Sequence, residues 1–377
     1  MRVVVAPDSF KGTLTQADAA AAMVRGLHRA RPDWLVIEKP MADGGEGTLA
    51  VLHQARGGQW RATRAEDAYG RVREARWLEL DDGTACIEAA AGPGYVEPKA
   101  RPRPARFAHS RGLGQLMAAA VNAGARRLVV TLGGTGSTDG GMGALQVLGA
   151  RFDVEADPGA DALGRVGRLT IPDLAVPLVG WADVLPPLGG PTGAVARYGP
   201  QKGIAADEVG ELDPAMERWG RLLEATSGRR VVAVPGAGAA GGIGAMLLAL
   251  GGRLISGGMA VAGAIGLPAA LAEADGALTG EGAMDAQSSA GKVVGVVARL
   301  ARAAGCPAFA VGGQIRAGAD RLYAMGLSGL FELVRSPRAD ERPAASILEE
   351  RVDQLAPWLD LGPSPRYGYG GREPDEP

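Results

Sequence analysis

Toward its C-terminal end the sequence settles into a regular rhythm, and that rhythm constrains the fold more than any single residue does. Short apolar runs at 277–279, 308–311 and 330–334 read as strands. Between and after them, 292–304, 320–325 and 346–359 read as helices. The opening of the chain repeats the pattern, with strands at 3–6 and 34–38 and helices at 15–30 and 46–55. Thr15 stands where a helix N-cap would, with Asp18 three residues on as an approximate capping box. Strands that alternate with helices imply a parallel sheet covered on both faces.

The middle of the chain breaks this rhythm. Strands at 60–64, 72–80 and 84–88 follow one another closely, with Asp82-Gly83 as a hairpin turn. A helix at 114–123, a strand at 127–132, a glycine-rich loop at 133–143, a strand at 175–179 and a polar amphipathic helix at 207–226 come next. The expected fold is α/β. Both chain ends, 1–58 and 271–360, would form a Rossmann-like parallel-sheet domain, and 59–270 would form a second α/β domain inserted into it. A length of 377 residues suits two domains, at roughly 100–200 residues each. The Pro/Gly-rich residues 361–377 are expected to be a disordered tail.

Charge and composition remove several function classes. A net charge of -2 leaves no basic excess for nucleic acid. Two cysteines and three scattered histidines fit neither a disulfide framework nor the usual zinc spacings. The apolar run at 3–6 is too short for a signal-peptide core. Residues 231–250 and 254–272 carry no charge, but glycine, alanine and Pro235 favour a glycine-rich loop and a buried helix over a membrane span. No membrane partner is expected, and the cytoplasm is the expected location.

The 59 glycines cluster in short motifs, as loops that approach a ligand closely would require. Asp8, Ser9 and Lys11 lie just past the first strand, at the edge where open α/β sheets bind ligands; a turn capped by Asp8 is the plainer alternative. Asp43-Gly44-Gly45-Glu46 follows the second strand and opens a helix, which suits a magnesium ion or a hydroxyl-bearing substrate better than a bare anion. An acidic first turn complementing the helix dipole is the alternative there. The run from Gly133 to Gly141, with Gly134, Ser137 and Asp139, could cradle phosphate or carboxylate. Gln201-Lys202 lies between glycines downstream of Asp183. Glu281, Gly282, Asp285 and Gln287 follow a strand and precede Lys292 at a helix start, a metal-plus-phosphate arrangement in kind.

A literal G-x-G-x-x-G, from Gly236 to Gly241, follows an expected strand at 231–234. The dinucleotide fingerprint also needs an acid about 20 residues on. The next acid is Glu273, so nicotinamide binding is disfavoured. The chain has five lysines, and the rest of its 40 cationic residues are arginines. Lys11, Lys202 and Lys292 each adjoin a glycine, as lysines that arginine cannot replace would.

The motifs APDSFKG, ADGGEGT, GPQKG, PGAGAAGGIG and TGEG-x-x-D-x-Q-x-x-x-GK, in this order, resemble the bacterial glycerate kinases that include the glycerate 2-kinases. The resemblance covers about residues 1–335. It implies phosphorylation of D-glycerate by ATP with magnesium, 2-phosphoglycerate as product, and a two-domain enzyme. Within that frame Asp183 with Glu281 or Asp285 would hold magnesium. Lys11, Lys202 and Lys292 would neutralise phosphate or carboxylate oxygens, and Asp8 or Asp43 would take the hydroxyl proton. Ser9, Gly44, Gly45, Glu46, Gly134, Ser137, Asp139, Gln201, Gly282 and Gln287 would line the substrate and phosphate subsites. The chain departs from the pattern at Thr138, Pro186, Gly92-Pro93-Gly94 and Gln314. Those changes leave room for another small hydroxy-acid acceptor, 3-phosphoglycerate as product, or a non-catalytic ligand-binding regulator. Oligomeric state stays open, a homodimer included.

Overall fold

The computed structural model describes residues 1–155, 157–286, 288–333 and 342–360. The tail at 361–377 and Gln287 lie outside the described residues. The chain forms two compact units. Met1–Asp43 joins the segment from Val261 onward, and Gly44–Ala260 forms the other. The dividing lines fall at 43/44 and 260/261, not at 58/59 and 270/271, because helix Thr48–Arg56 packs against strands Val72–Glu79 and Thr84–Glu88.

In the terminal unit five strands form one parallel sheet. Their order is Leu327–Glu332, Ala308–Ile315, Gly276–Met284, Arg2–Val5 and Leu35–Glu38. Val3, Val5, Leu278, Phe309 and Val311 bury their side chains in one core with Met23 and Leu27 of helix Gln16–Ala30 and Leu348, Val352 and Leu355 of helix Ala344–Asp360. The first of these helices starts as its sequence suggests: Thr15 Oγ1 accepts from Asp18 N–H at 3.1 Å and donates to the Asp18 carboxylate at 2.7 Å. The side chain thus returns to the cap hydroxyl, a variant of the capping box.

The inserted unit has a mixed six-stranded sheet. Arg253–Ser256, Leu178–Ala182, Arg127–Thr131 and Thr84–Glu88 run parallel, and Val72–Glu79 and Gln59–Glu66 continue it antiparallel. Gly83, at φ 79°, makes the tight turn into Thr84–Glu88. No strand forms at 231–234. The Val231 and Val232 amides instead donate to the Glu224 carboxylate at 2.7 and 3.0 Å, which takes them away from any ladder. The uncharged stretch that follows resolves into the buried helix Ala239–Ala249. No helix among the described residues is long and apolar enough to cross a membrane.

Candidate active site

Each unit carries half of the expected residues. In the terminal unit they gather at the carboxyl ends of adjacent parallel strands, the edge at which open α/β sheets bind ligands. Asp8 follows strand Arg2–Val5, and its N–H donates to the Gly280 carbonyl at 2.8 Å. Glu281 projects from the neighbouring strand Gly276–Met284. An added Cβ on Gly282 would lie 3.1 Å from the Lys11 nitrogen, so glycine there lets the Ser9–Lys11 turn lie on the strand. Lys292 stands at the N-cap position of helix Val293–Ala304, its ammonium 3.9 Å from the Glu281 carboxylate. The other Glu281 oxygen accepts from the Ser288 hydroxyl, which accepts in turn from Asp285 N–H at 3.1 Å.

This cluster is short of positive charge. Burial, then Asp43 and Glu281, push the Asp8 carboxyl up to about 8; the Ser9 N–H, 2.6 Å away, and Lys292 oppose them. Burial also raises Glu281, against Lys292 and Ser288, with Asp285 and Asp43 adding to the rise. Such a donor set is relieved by a cation, and magnesium uses one or two carboxylates together with phosphate oxygens and water. Among the described residues no group of three histidine, cysteine or acidic side chains is placed to hold a metal by itself. Glu281 and Asp285 therefore fit magnesium only as partners of ligand oxygens. Asp183 lies in the inserted unit.

In the inserted unit, Gly44, Gly45 and Glu46 form a turn ahead of helix Thr48–Arg56, which begins two residues later than its sequence suggests. Gly47 at φ 86° delays it, and Glu46 is exposed outside the first turn. The side chain that meets the helix N-terminus is Glu88, which accepts from Leu49 N–H at 3.1 Å. Burial raises the Glu88 carboxyl against those helix amides.

The glycine-rich loop follows strand Arg127–Thr131. Gly134 is exposed, whereas Ser137 and Asp139 are fully buried. Asp139 accepts from Ser110 N–H at 2.8 Å, Ser110 Oγ at 2.7 Å, Gly143 N–H at 3.0 Å and Gly141 N–H at 3.2 Å. Its carboxylate is thus committed to the protein, joining the starts of helices Arg111–Asn122 and Met142–Val147. Lys202 is buried, and Gln201 beside it is exposed. Ser110, Ser288 and Glu88 are single polar residues with no spacing signal of their own, and Thr135 lies inside the glycine-rich run without standing out from it.

Comparison with known proteins follows the same lines. A model of the glycerate kinase family matches residues 3–359. An uncharacterised Mycobacterium bovis protein is 40% identical over 372 residues, covering 97% of this chain and 93% of that one. The glycerate 2-kinase of Escherichia coli K12 is 34% identical over 347 residues, 89% of this chain and 91% of that one. The crystal structure of a provisionally named glycerate kinase 2 from Salmonella typhimurium LT2 superposes with a TM-score of 0.81 at 32% identity, covering 96% of this chain and 98% of that one.

Proposed function

Since the chain belongs to the glycerate kinase family, we propose that it transfers the γ-phosphate of ATP to D-glycerate, yielding 2-phosphoglycerate with magnesium as companion ion. The observation that carries the reading is the strand-end cluster of Asp8, Asp43, Glu281, Asp285 and Lys292. Phosphoryl transfer asks mainly for positioning and charge neutralisation, and this cluster supplies both signs of charge at one sheet edge.

Asp8 takes the proton of the attacking hydroxyl in its ionised form, which gains population as pH rises toward about 8. Lys292 faces transferring phosphate oxygens from a helix start, where the backbone dipole adds to its charge. Lys11 is exposed on the Asp8 turn and reaches outward to an anionic group. Glu281 and Asp285 would hold magnesium, which when bound neutralises charge on the phosphate oxygens. Exposed Gly134 and half-buried Gly133 in the second unit's loop would offer backbone N–H groups to an anion.

The test is product identification. Incubation with D-glycerate, ATP and magnesium is expected to give 2-phosphoglycerate by NMR. A 3-phosphoglycerate product would keep the kinase and overturn the regiochemistry. No product, with nucleotide still bound, would overturn the acceptor.

A further inference from the structure

Lys202 grips the glycine-rich loop from behind. Its side chain is 6% exposed, and its ammonium donates to Thr135 Oγ1 at 3.1 Å and to the Ser137 carbonyl at 2.7 Å. Residues 240–242, all left-handed, close over this contact. An added Cβ on Gly241 would fall 2.2 Å from the Ser137 oxygen and 3.0 Å from the lysine nitrogen. The Gly140 N–H donates to the Gly241 carbonyl at 3.0 Å. The G-x-G-x-x-G of the sequence is therefore packing, not a nucleotide loop: its last glycine admits one backbone against another. Between these walls the ammonium is buried, with its described contacts all to the protein. Along the loop Gly134 is exposed and Gly133 half-buried, an added Cβ on Gly133 meeting Gly45 Cα at 2.4 Å; residues 135–141 are buried.

We infer that Lys202 is a positioning residue: through Thr135 and Ser137 it fixes the ligand-facing backbone of Gly133 and Gly134, and it does not itself touch phosphate. This differs from the neutralising role its motif suggests. Its consequence for turnover rests on the kinase reading above; its consequence for the loop does not. Burial pushes the amine down to about 8, with Asp139 opposing. A neutral amine keeps two N–H donors, enough for its two acceptors, so the grip outlasts the charge.

The experiment compares Lys202→Met, Thr135→Val, Thr135→Ser and the Met/Val double variant in the full chain. Amide exchange by mass spectrometry reads the loop, and kcat with ATP and D-glycerate reads turnover. Met and Val are expected to speed exchange across 133–138 by tenfold or more, with exchange in the five-stranded sheet unchanged. Both are expected to lower kcat tenfold or more, and the double variant to be no worse than Lys202→Met, since the two act through one contact. Thr135→Ser, which keeps the hydroxyl, retains wild-type exchange. Wild-type exchange and turnover in Thr135→Val, beside a large loss in Lys202→Met, would overturn the inference in favour of a direct charge role. If Lys202→Met does not fold, Thr135→Val decides alone, because it leaves the ammonium in place. If the wild type phosphorylates no glycerate, the glycerate reading fails, and exchange at 133–138 still decides this one.

Discussion

The Lys292 ammonium lies 3.9 Å from the Glu281 carboxylate, joining a helix start to a strand end, and both belong to the cluster that would carry catalysis. An ion pair kept only for stability tolerates removal of both partners better than of one. A pair that serves chemistry does not. Removing one electrostatic contact to a developing charge typically costs about 10²–10³ in kcat. Lys292→Met and Glu281→Gln are each expected to lower kcat by about 10², and the double variant to recover nothing. Recovery of turnover in the double variant would mark the pair as structural.

Asp8 links stability to activity with opposite signs. Its folded carboxyl is pushed up to about 8 from an ordinary 3.8, so between those values the folded state holds the proton more firmly than the unfolded chain does. Stability from this group is full below pH 4 and is lost as pH rises through about 8. Asp8→Asn removes the penalty. Its Tm at pH 9 is expected to exceed that of wild type, and the two curves to converge near pH 4. Meanwhile kcat falls by about 10²–10⁴, as loss of a general base requires. A thermal-shift series across pH together with a pH–rate profile checks both. Equal kcat in the variant removes Asp8 as the base, and parallel Tm curves remove the linkage.

The parallel rhythm at both chain ends was legible because period and punctuation are local properties. Thr15, Gly83 and the strand ends near Asp8 and Glu281 each announce themselves within a few residues. The misreadings have non-local causes. The run at 231–234 looks like a strand, yet Glu224 claims its amides from a preceding helix. The helix expected to open at Glu46 begins at Thr48, and Glu88, 39 positions beyond Leu49, meets its N-terminus. Lys202 and Asp139 share motifs with glycines and so read as ligand contacts. Their hydrogen bonds run to Thr135, Ser137 and Ser110, up to 67 positions away, partners that no local pattern announces. Charge and composition name the residue types a site needs, but tertiary contacts decide which of them face the ligand.

Ser110 anchors the far end of the same loop. Its hydroxyl donates to Asp139 at 2.7 Å and accepts from Ala144 N–H at 3.0 Å, all fully buried. Ser110→Ala leaves the Ala144 amide and one Asp139 lone pair without that partner. A buried group so stranded costs about 1–3 kcal/mol. Urea unfolding is expected to lose that much with an unchanged slope, and Ser110→Thr to lose less. A midpoint equal to wild type for Ser110→Ala would mean that the carboxylate finds another donor.

Gly26 sets how closely helices Gln16–Ala30 and Ala344–Asp360 approach. An added Cβ would fall 2.4 Å from the Glu349 carbonyl oxygen and 2.9 Å from Val352 Cβ. In an open helix, glycine to alanine gains about 1 kcal/mol. Here overpacking costs about 1–3 kcal/mol, and backbone, which cannot rotate away as a side chain can, is the nearest obstacle. Gly26→Ala is therefore expected to lower Tm despite its better helix propensity. Of these near atoms, Val352→Ala in the same chain removes only Cγ1, 3.1 Å from the added Cβ, and leaves Cβ and the Glu349 carbonyl in place, so it restores part of the loss and not all. A Tm above wild type for Gly26→Ala would show that the two helices slide apart at little cost. Full restoration by Val352→Ala would show that the carbonyl of Glu349 moves aside.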